Sequence, residues 1–502
     1  MTLSKFTLKN LEAGEVENVP DGIFDLPEKV LQFGTGVLLR GLPDYFIDKA
    51  NRLGIFNGRI VVVKSTAGGD AAVFQKQDGL YTLCIRGLED GKPVSENIIC
   101  SAISRVLSAK DEWGTILKCA HNPDMQIIIS NTTEVGIELV KDDIHQHPPI
   151  SYPGKLLAFL YERYMAFDGS DQCGMVIIPT ELISDNGTKL ESIVLELAHL
   201  NGLEENFIEW LEKYNHFCNS LVDRIVPGKP DAVAKKLLEN ELGYTDNLIT
   251  MSEVYNLWAI EGDEKIAAVL SFAASDKGVV ITKDINVFKE LKLRLLNGTH
   301  SLTCGVAFLS GIVSVKEAMD NPVISKFVND LMCNEIAKAI PYSLPEVEAI
   351  TFAGKVLDRF RNPNIEHHWI NISLNFTSKL QMRMVPVLLR YAELYNTYPE
   401  NAALGFAAYL VFMKAVKQED DIFYGNFNNN SYPIKDPQAK YFYEQWKNFS
   451  TPQLVKNVLT NIALWNADLT TIPGFAEKVV ENVEDILLYG MVEVMQNEKV
   501  KI

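Results

Sequence analysis

Glu28-Lys29-Val30-Leu31-Gln32-Phe33-Gly34-Thr35-Gly36-Val37-Leu38-Leu39-Arg40 is a short β-type run, then two glycines one residue apart, then an apolar-periodic segment that continues through Tyr45, Phe46 and Ala50. Strand, glycines and helix in that order are what a dinucleotide-binding βαβ unit requires. Gly34 would make the tight turn. Gly36 would let the backbone approach a pyrophosphate resting on the following helix N-terminus. Leu39 stands where the full fingerprint has its third glycine, so the motif is incomplete, and an ordinary α/β turn is the competing reading. Context favours the nucleotide reading. A second parallel-type strand, 59–63, follows at a βαβ distance and ends at Lys64. An acid at that position would take the ribose hydroxyls of NAD, and a lysine would tolerate a 2′-phosphate, so NAD is expected and NADP is not excluded.

Further buried runs occur at 80–85, 126–130 and 174–179. The second leads into Asn131-Thr132-Thr133-Glu134 and the third into Thr180-Glu181. Apolar runs that end in small polar residues are how strand C-termini line a cofactor crevice. With a helical pattern at 155–165 between them, the alternation implies a doubly wound, mostly parallel sheet. From about Leu190 the pattern turns helical, at 190–200, 208–222 and 235–242. After Asp284 almost no strand alternation remains. Helices are expected at 316–340, 345–360, 378–395, 402–416, 437–448, 451–464 and 475–496, and the asparagine-rich tract 426–430 reads as a surface loop. The expected architecture is an α/β Rossmann-type dinucleotide-binding domain over 1–285, followed by a mainly α-helical substrate and catalytic domain over 286–502.

The chain has 502 residues, 47% hydrophobic and 22% charged, which describes an ordinary globular protein large enough for two or three domains. No apolar run reaches the roughly 18 residues of a membrane span, and the polar first ten residues do not read as a secretory signal. Seven scattered cysteines without a CxxC pair suggest reduced thiols and a cytoplasmic location. The formal charge of −18 disfavours nucleic acid as a partner. It also requires any anionic small substrate to be met by locally concentrated cations. The eight histidines form no metal-ligand spacing, and no metal is expected.

A second stretch carries chemistry: Lys292-Leu293-Arg294-Leu295-Leu296-Asn297-Gly298-Thr299-His300. On a helix turning about 100° per residue, His300 falls about 80° and Asn297 about 140° from Lys292, so all three can face one cleft. An amine, an amide donor and an imidazole suit proton transfer at a carbinol oxygen. Polar groups scattered by chance on a solvated face are the alternative. The surrounding leucines, with Leu302 and Val306 beyond, leave little of the segment for water.

This stretch joins Phe33-Gly34-Thr35-Gly36 with Arg40, Gln77-Asp78-Gly79-Leu80-Tyr81-Thr82, Ser130-Asn131-Thr132-Thr133-Glu134 and Asn219-Ser220-Leu221-Val222-Asp223-Arg224-Ile225. Together they resemble the polyol-specific long-chain dehydrogenases, which include mannitol dehydrogenase and the hexuronate reductases. The resemblance runs from about Val30 to about Arg390, and the Lys-Asn-His spacing is its most specific part. Tracts 179–187, 255–262 and 372–383 look most like the hexuronate-reducing branch, tagaturonate ahead of fructuronate. The resemblance implies metal-independent, NAD-dependent hydride transfer that interconverts a keto-hexuronate and its aldonate in hexuronate catabolism. Lys292 would then be the general acid/base, Asn297 a donor to the developing alkoxide, and His300 a positioner of a substrate hydroxyl or a member of the proton relay. Phe33, Gly34, Gly36, Arg40, Lys64, Asn131 and Thr132 would hold the cofactor.

Mannitol-type relatives carry an acid-Asn pair after the strand ending at Pro179, and that asparagine helps hold the reacting oxygen. Here Glu181 is followed by Leu182, so either Asn186 takes the role or the second amide is missing. A hexuronate also has a carboxylate to be paired, and Arg361, Lys379 and Arg383 are the candidates. Lys379 and Arg383, four residues apart, share a helix face, and an arginine can grip a carboxylate through two parallel hydrogen bonds. The expected partner is this small-molecule hexuronate, with neither nucleic acid nor membrane, and the oligomeric state stays open. Competing functions are a non-catalytic NADH sensor, a Schiff-base lyase using Lys292, and a dehydrogenase of uncharged polyols.

Overall fold

The opening run folds as strand β1 (Glu28–Phe33), with Val30 to Phe33 all buried. A strand apolar on both faces belongs inside a parallel sheet covered on both sides. Its companions are β2 (Arg59–Lys64), β3 (Ile103–Ser108), β4 (Ile127–Ser130), β5 (Val176–Pro179) and β6 (His216–Phe217). Every neighbouring pair is parallel, and the spatial order is β3-β2-β1-β4-β5-β6. Successive side chains leave a strand on opposite faces. Val30, Ile60, Val62, Ile127 and Ile129 accordingly enter one core, and Leu31, Val61, Val63 and Ile128 enter the other. Strand order reverses between β1 and β4, which makes their C-terminal ends the topological switch point of a Rossmann-type sheet.

The computed structural model describes residues 1–9, 16–17, 19–65, 71–132 and 136–496; the tract Thr133-Glu134 therefore lies outside the described residues. By internal packing the chain divides into Met1–Arg86 with Pro93–Ile285, and Gly87–Lys92 with Asn286–Ile502. Among the described residues no helix is long and apolar enough to cross a membrane.

In the first unit two expectations change. The run at 80–85 is a strand, Tyr81–Glu89, but it lies in a separate four-stranded sheet with Val16–Glu17, Lys92–Cys100 and Thr250–Glu253. Asp90 and Gly91, both at positive φ, turn the chain into its neighbour Lys92–Cys100. The helix expected over 208–222 ends at Tyr214. Buried Asn215 stops it by donating to the carbonyls of Trp210 and Leu211 and accepting from the Met175 amide, after which the chain forms β6 and the strand Ser220–Asp223.

The second unit is built mainly from helices, among them α1 (Thr299–Leu309), α2 (Glu346–Phe360), α3 (Phe376–Tyr395) and α4 (Glu400–Phe412). α1 and α4 meet at glycines. A Cβ on Gly305 would lie 2.8 Å from the Ala408 carbonyl carbon, and one on Gly405 would lie 2.7 Å from the Leu302 oxygen. The unit is mainly helical, as its sequence suggested, with a small sheet that the sequence did not show. Ala415–Glu419, Ile422–Phe427 and Asn430–Ile434 form an antiparallel sheet. The asparagine tract supplies its tight turn, because Asn428 and Asn429 accept the left-handed conformation a hairpin needs.

Candidate active site

At the switch point, Gly34 has φ +132°, and its amide donates to the Val63 carbonyl at 3.0 Å. A Cβ there would stand 2.8 Å from Leu39 Cδ1 and 3.1 Å from the Asn131 oxygen, so only glycine fits. Gly36 differs. It precedes the short helix Val37–Gly41 in extended conformation, caps it with no side chain, and would place a Cβ in open space, with nothing within 4 Å. The empty volume over Gly36 and the uncapped amides of the first turn fit a phosphate-bearing dinucleotide. Lys64 ends β2, half-buried and in register with Ser108 of β3.

The remaining candidates of this unit have other duties. Phe33 is buried with its ring 5.2 Å from that of Tyr152, so only its backbone borders the crevice; its carbonyl accepts from the Asn131 amide. Arg40 turns inward, donating to the Leu248 carbonyl at 2.7 Å between the rings of Phe74 and Tyr81. Its side chain is a core strut, contrary to the expected cofactor contact. Asn131 Nδ2 donates to the Thr180 carbonyl and hydroxyl, and the Thr132 amide donates to Glu181 Oε1 at 2.7 Å. These two residues fix the turn after β4.

Asn186 cannot serve as an oxyanion donor. It is 1% exposed. Its amide nitrogen donates to the carbonyls of Pro179, Glu181 and Ser220, and its oxygen accepts from the amides of Gly187 and Ser220. With its donors fully occupied by backbone, it has none left for a substrate.

In the second unit, Lys292–Gly298 is not an α-helix but a seven-residue π-helix, which passes into α1 at Thr299. Wider turns place residue i+5 over residue i, so Asn297 stands one turn above Lys292, and the α-helical angle between them does not apply. Such π turns recur at functional sites. Lys292 and Asn297 are half-buried, whereas His300 is 7% exposed. The His300 ring stacks on Phe360 at 4.2 Å and meets His367 edge-on at 5.1 Å, and its Nε2 is buried without a hydrogen-bond partner.

Around this imidazole the charges are of one sign. Burial lowers the His300 pKa well below that of an ordinary histidine, and His367, Arg383, Arg359 and Lys379 push the same way. Arg383 donates to the Asn297 carbonyl at 3.2 Å and to Ser301 Oγ at 2.9 Å, while its Nε is buried and unpartnered. Burial pulls its pKa down to about 10. Lys379 donates to the Ile372 carbonyl at 2.8 Å, and burial and Arg383 lower its pKa against the opposing pull of Cys304 and Asp436. Among the described residues, no carboxylate figures in the charges acting on His300, His367 or Arg383. In a chain of net charge −18, Arg383 is a buried cation on which no carboxylate among the described residues acts, whereas Lys379 has Asp436 acting on it.

Arg361 is not part of it. Its side chain is 41% exposed and 3.9 Å from Asp358. The residue of that tract that acts on His300 is Arg359, 8% exposed. Sequence reading missed Arg359 and His367. A signal existed for the first: Arg359 lies three residues from Val356 and seven from Phe352, on the buried stripe of α2, where a charge demands an explanation. Nothing in the spacing pointed to His367, which arrives from a loop.

An amine and an amide one turn apart, a neutral buried imidazole and the neighbouring cations can together bind an oxyanion and exchange a proton with a neighbouring hydroxyl. Known proteins give the same direction. Residues 28–272 match the mannitol dehydrogenase Rossmann domain, and residues 284–487 match the mannitol dehydrogenase C-terminal domain. The altronate oxidoreductase of Bacillus subtilis (strain 168) is 38% identical over 481 residues, 95% of this chain and 96% of the relative. That of Escherichia coli O7:K1 is 38% identical over 480 residues, 94% and 96% of the two chains. In fold, the chain is similar to Pseudomonas fluorescens mannitol 2-dehydrogenase in ternary complex with NAD and D-mannitol (TM-score 0.65, 22% identity, 99% of each chain). It is also similar to a D-sorbitol dehydrogenase in substrate-free form (TM-score 0.78, 20% identity, 98% of this chain and 99% of the other).

Proposed function

The chain belongs to the mannitol dehydrogenase family, and from that premise we propose that it interconverts tagaturonate and altronate with NAD. It is a dehydrogenase acting on a CH–OH group, as its altronate oxidoreductase relatives are. The observation that carries the substrate reading is the buried cation Arg383, on which no carboxylate among the described residues acts, beside Lys379 and His300 and bonded to the Asn297 carbonyl. An uncharged polyol has no use for it. The carboxylate of a hexuronate would supply the missing counter-charge, with the Arg383 fork making charge-assisted bonds.

NAD, when bound, accepts or supplies the hydride at the carbinol carbon. The residues of the chain manage the proton and the developing charge. Lys292 Nζ gives its proton to the keto oxygen as the substrate is reduced and takes it back as the alcohol is oxidised, worth on the order of 10²–10⁴-fold. The Asn297 amide donates to the same oxygen as charge grows on it, a fixed dipole that needs no reorganisation. His300, kept neutral by burial and its cationic neighbours, turns its unpartnered Nε2 to a substrate hydroxyl. On the cofactor side, Gly34 makes the tight turn and Gly36 leaves room for the backbone to approach the dinucleotide.

The test is NADH consumption with tagaturonate, fructuronate and fructose in parallel, repeated with Lys292→Ala. Turnover of tagaturonate alone, abolished by the substitution, is the expected result. Preference for fructuronate would move the enzyme to the neighbouring hexuronate branch. Turnover of fructose alone would remove the carboxylate role of Arg383 and Lys379.

A further inference from the structure

The turn after β4 is held from one side by the residues that end β5. Glu181 is 3% exposed, and its carboxylate accepts from Ser130 Oγ at 3.2 Å, the Thr132 amide at 2.7 Å and Thr132 Oγ1 at 3.0 Å. Thr180 completes the stitch. Its hydroxyl donates to the Ser130 carbonyl at 2.7 Å and receives Asn131 Nδ2 at 3.0 Å. The brace is itself anchored, because Asn186 Nδ2 donates to the carbonyls of Pro179 and Glu181 and ties both to Ser220. At the far end, the Asn131 amide donates to the Phe33 carbonyl, and the Asn131 oxygen lies 3.1 Å from where a Gly34 Cβ would be. A continuous run of short bonds therefore leads from Ser220 through Asn186, Glu181 and Thr132 to the glycine turn.

A buried carboxylate is costly to keep unless its acceptors are filled. Among the described residues, the hydrogen bonds that Glu181 makes through its carboxylate go to the end of β4 and the turn after it. We propose that Glu181 and Thr180 are positioning residues that set the width of the switch-point crevice, so that the Asn131–Thr132 turn meets the dinucleotide in a fixed place. The proposal rests on the reading that this crevice takes the cofactor. Asn186, in this scheme, is the anchor of the brace.

The experiment measures NADH dissociation constants by fluorescence titration, with thermal unfolding of each cofactor-free variant. Glu181→Ala is expected to weaken NADH about tenfold or more, with the KM for the sugar acid at saturating NADH little changed. Glu181→Gln should restore binding to within about threefold, because its carbonyl oxygen can accept from Thr132 while its amide donates to Ser130 Oγ. Thr180→Val, close in shape and expected to fold, should weaken NADH about threefold or more; it decides the matter if Glu181→Ala does not fold. Parent-like NADH affinity in Thr180→Val and in a folded Glu181→Ala would overturn the proposal. Gly36→Val separates this from failure of the underlying reading. If it abolishes NADH binding while the brace variants do not, only the brace is wrong. If it binds NADH normally, the crevice is not the cofactor site and both readings fall.

Discussion

Replacing Arg383 with methionine should separate the cost of the anion site from its use. Burial lowers the Arg383 pKa from 12.5 to about 10. At about 1.4 kcal/mol per pH unit, holding its charge in the folded protein costs at most about 3.5 kcal/mol, and less once its partial exposure is allowed for. Methionine fills similar space without that cost. Against this stands the loss of two hydrogen bonds, to the Asn297 carbonyl and Ser301 Oγ. Those acceptors are not stranded, because Ser301 Oγ already donates to the Asn297 carbonyl at 3.0 Å. The two effects nearly cancel, so stability should change by no more than about 1–2 kcal/mol, a Tm shift of a few degrees. Substrate binding has no such offset. Truncating one partner of a buried charge pair costs about 2–5 kcal/mol, which raises KM for tagaturonate on the order of 10²-fold or more. Steady-state NADH oxidation against tagaturonate, with any activity on uncharged fructose as the internal control, reads this directly. Arg383→Lys should fall between, keeping charge but losing the planar fork. A parent-like KM, or an equal loss on charged and uncharged substrates, would refute the reasoning.

Further outcomes follow from other parts of the molecule. Asp44 is fully buried, and burial, opposed by Arg40 and Gln32, raises its pKa from 3.8 to about 8. Between those values the folded state keeps a proton that the unfolded state releases, so Asp44 erodes stability by about 1.4 kcal/mol for each pH unit of rise, a loss complete near pH 8. Asp44→Asn should therefore raise Tm more at pH 8 than at pH 5; an equal gain at both would contradict it. Gly34→Ala should cost about 1–3 kcal/mol of stability through its positive φ and tight neighbours. Gly36→Ala, at ordinary φ and in open space, should leave Tm unchanged and weaken NADH; the reverse pattern in melting and titration would be fatal to this reading. Arg359→Met should change the pH dependence of KM for the sugar acid without altering NADH affinity, and an unaltered pH profile would remove Arg359 from the anion group.

The parallel sheet was legible because β1, β2, β4 and β5 are apolar on both faces, a pattern that few other environments tolerate. The glycine turn at 34–36 was legible because local geometry restricts which residue types serve there, whereas the Lys-Asn-His spacing marked a candidate site without its π-helical geometry. The hairpin sheet at 415–434 was not, since its strands are largely exposed and show no alternation of burial strong enough to mark them.

Sequence alone thus determined the two-part architecture and the glycine turn at the end of β1, and it singled out the Lys292–His300 stretch as the proposed acid/base site. The tertiary structure decided how the polar groups are used. It sent Arg40 into the core and consumed Asn186 on three carbonyls. It set Arg361 beside Asp358 while giving Arg383 no counter-ion among the described residues, and it brought Arg359 and His367 to His300. It also chose i+5 over i+4 bonding at Lys292, a difference too small for periodicity to reveal over seven residues. The physical reason is common to all of these. Burial of an apolar side chain depends on the local repeat of strand or helix, whereas the role of a charge or an amide is set by which donors and acceptors the distant chain brings within about 3 Å.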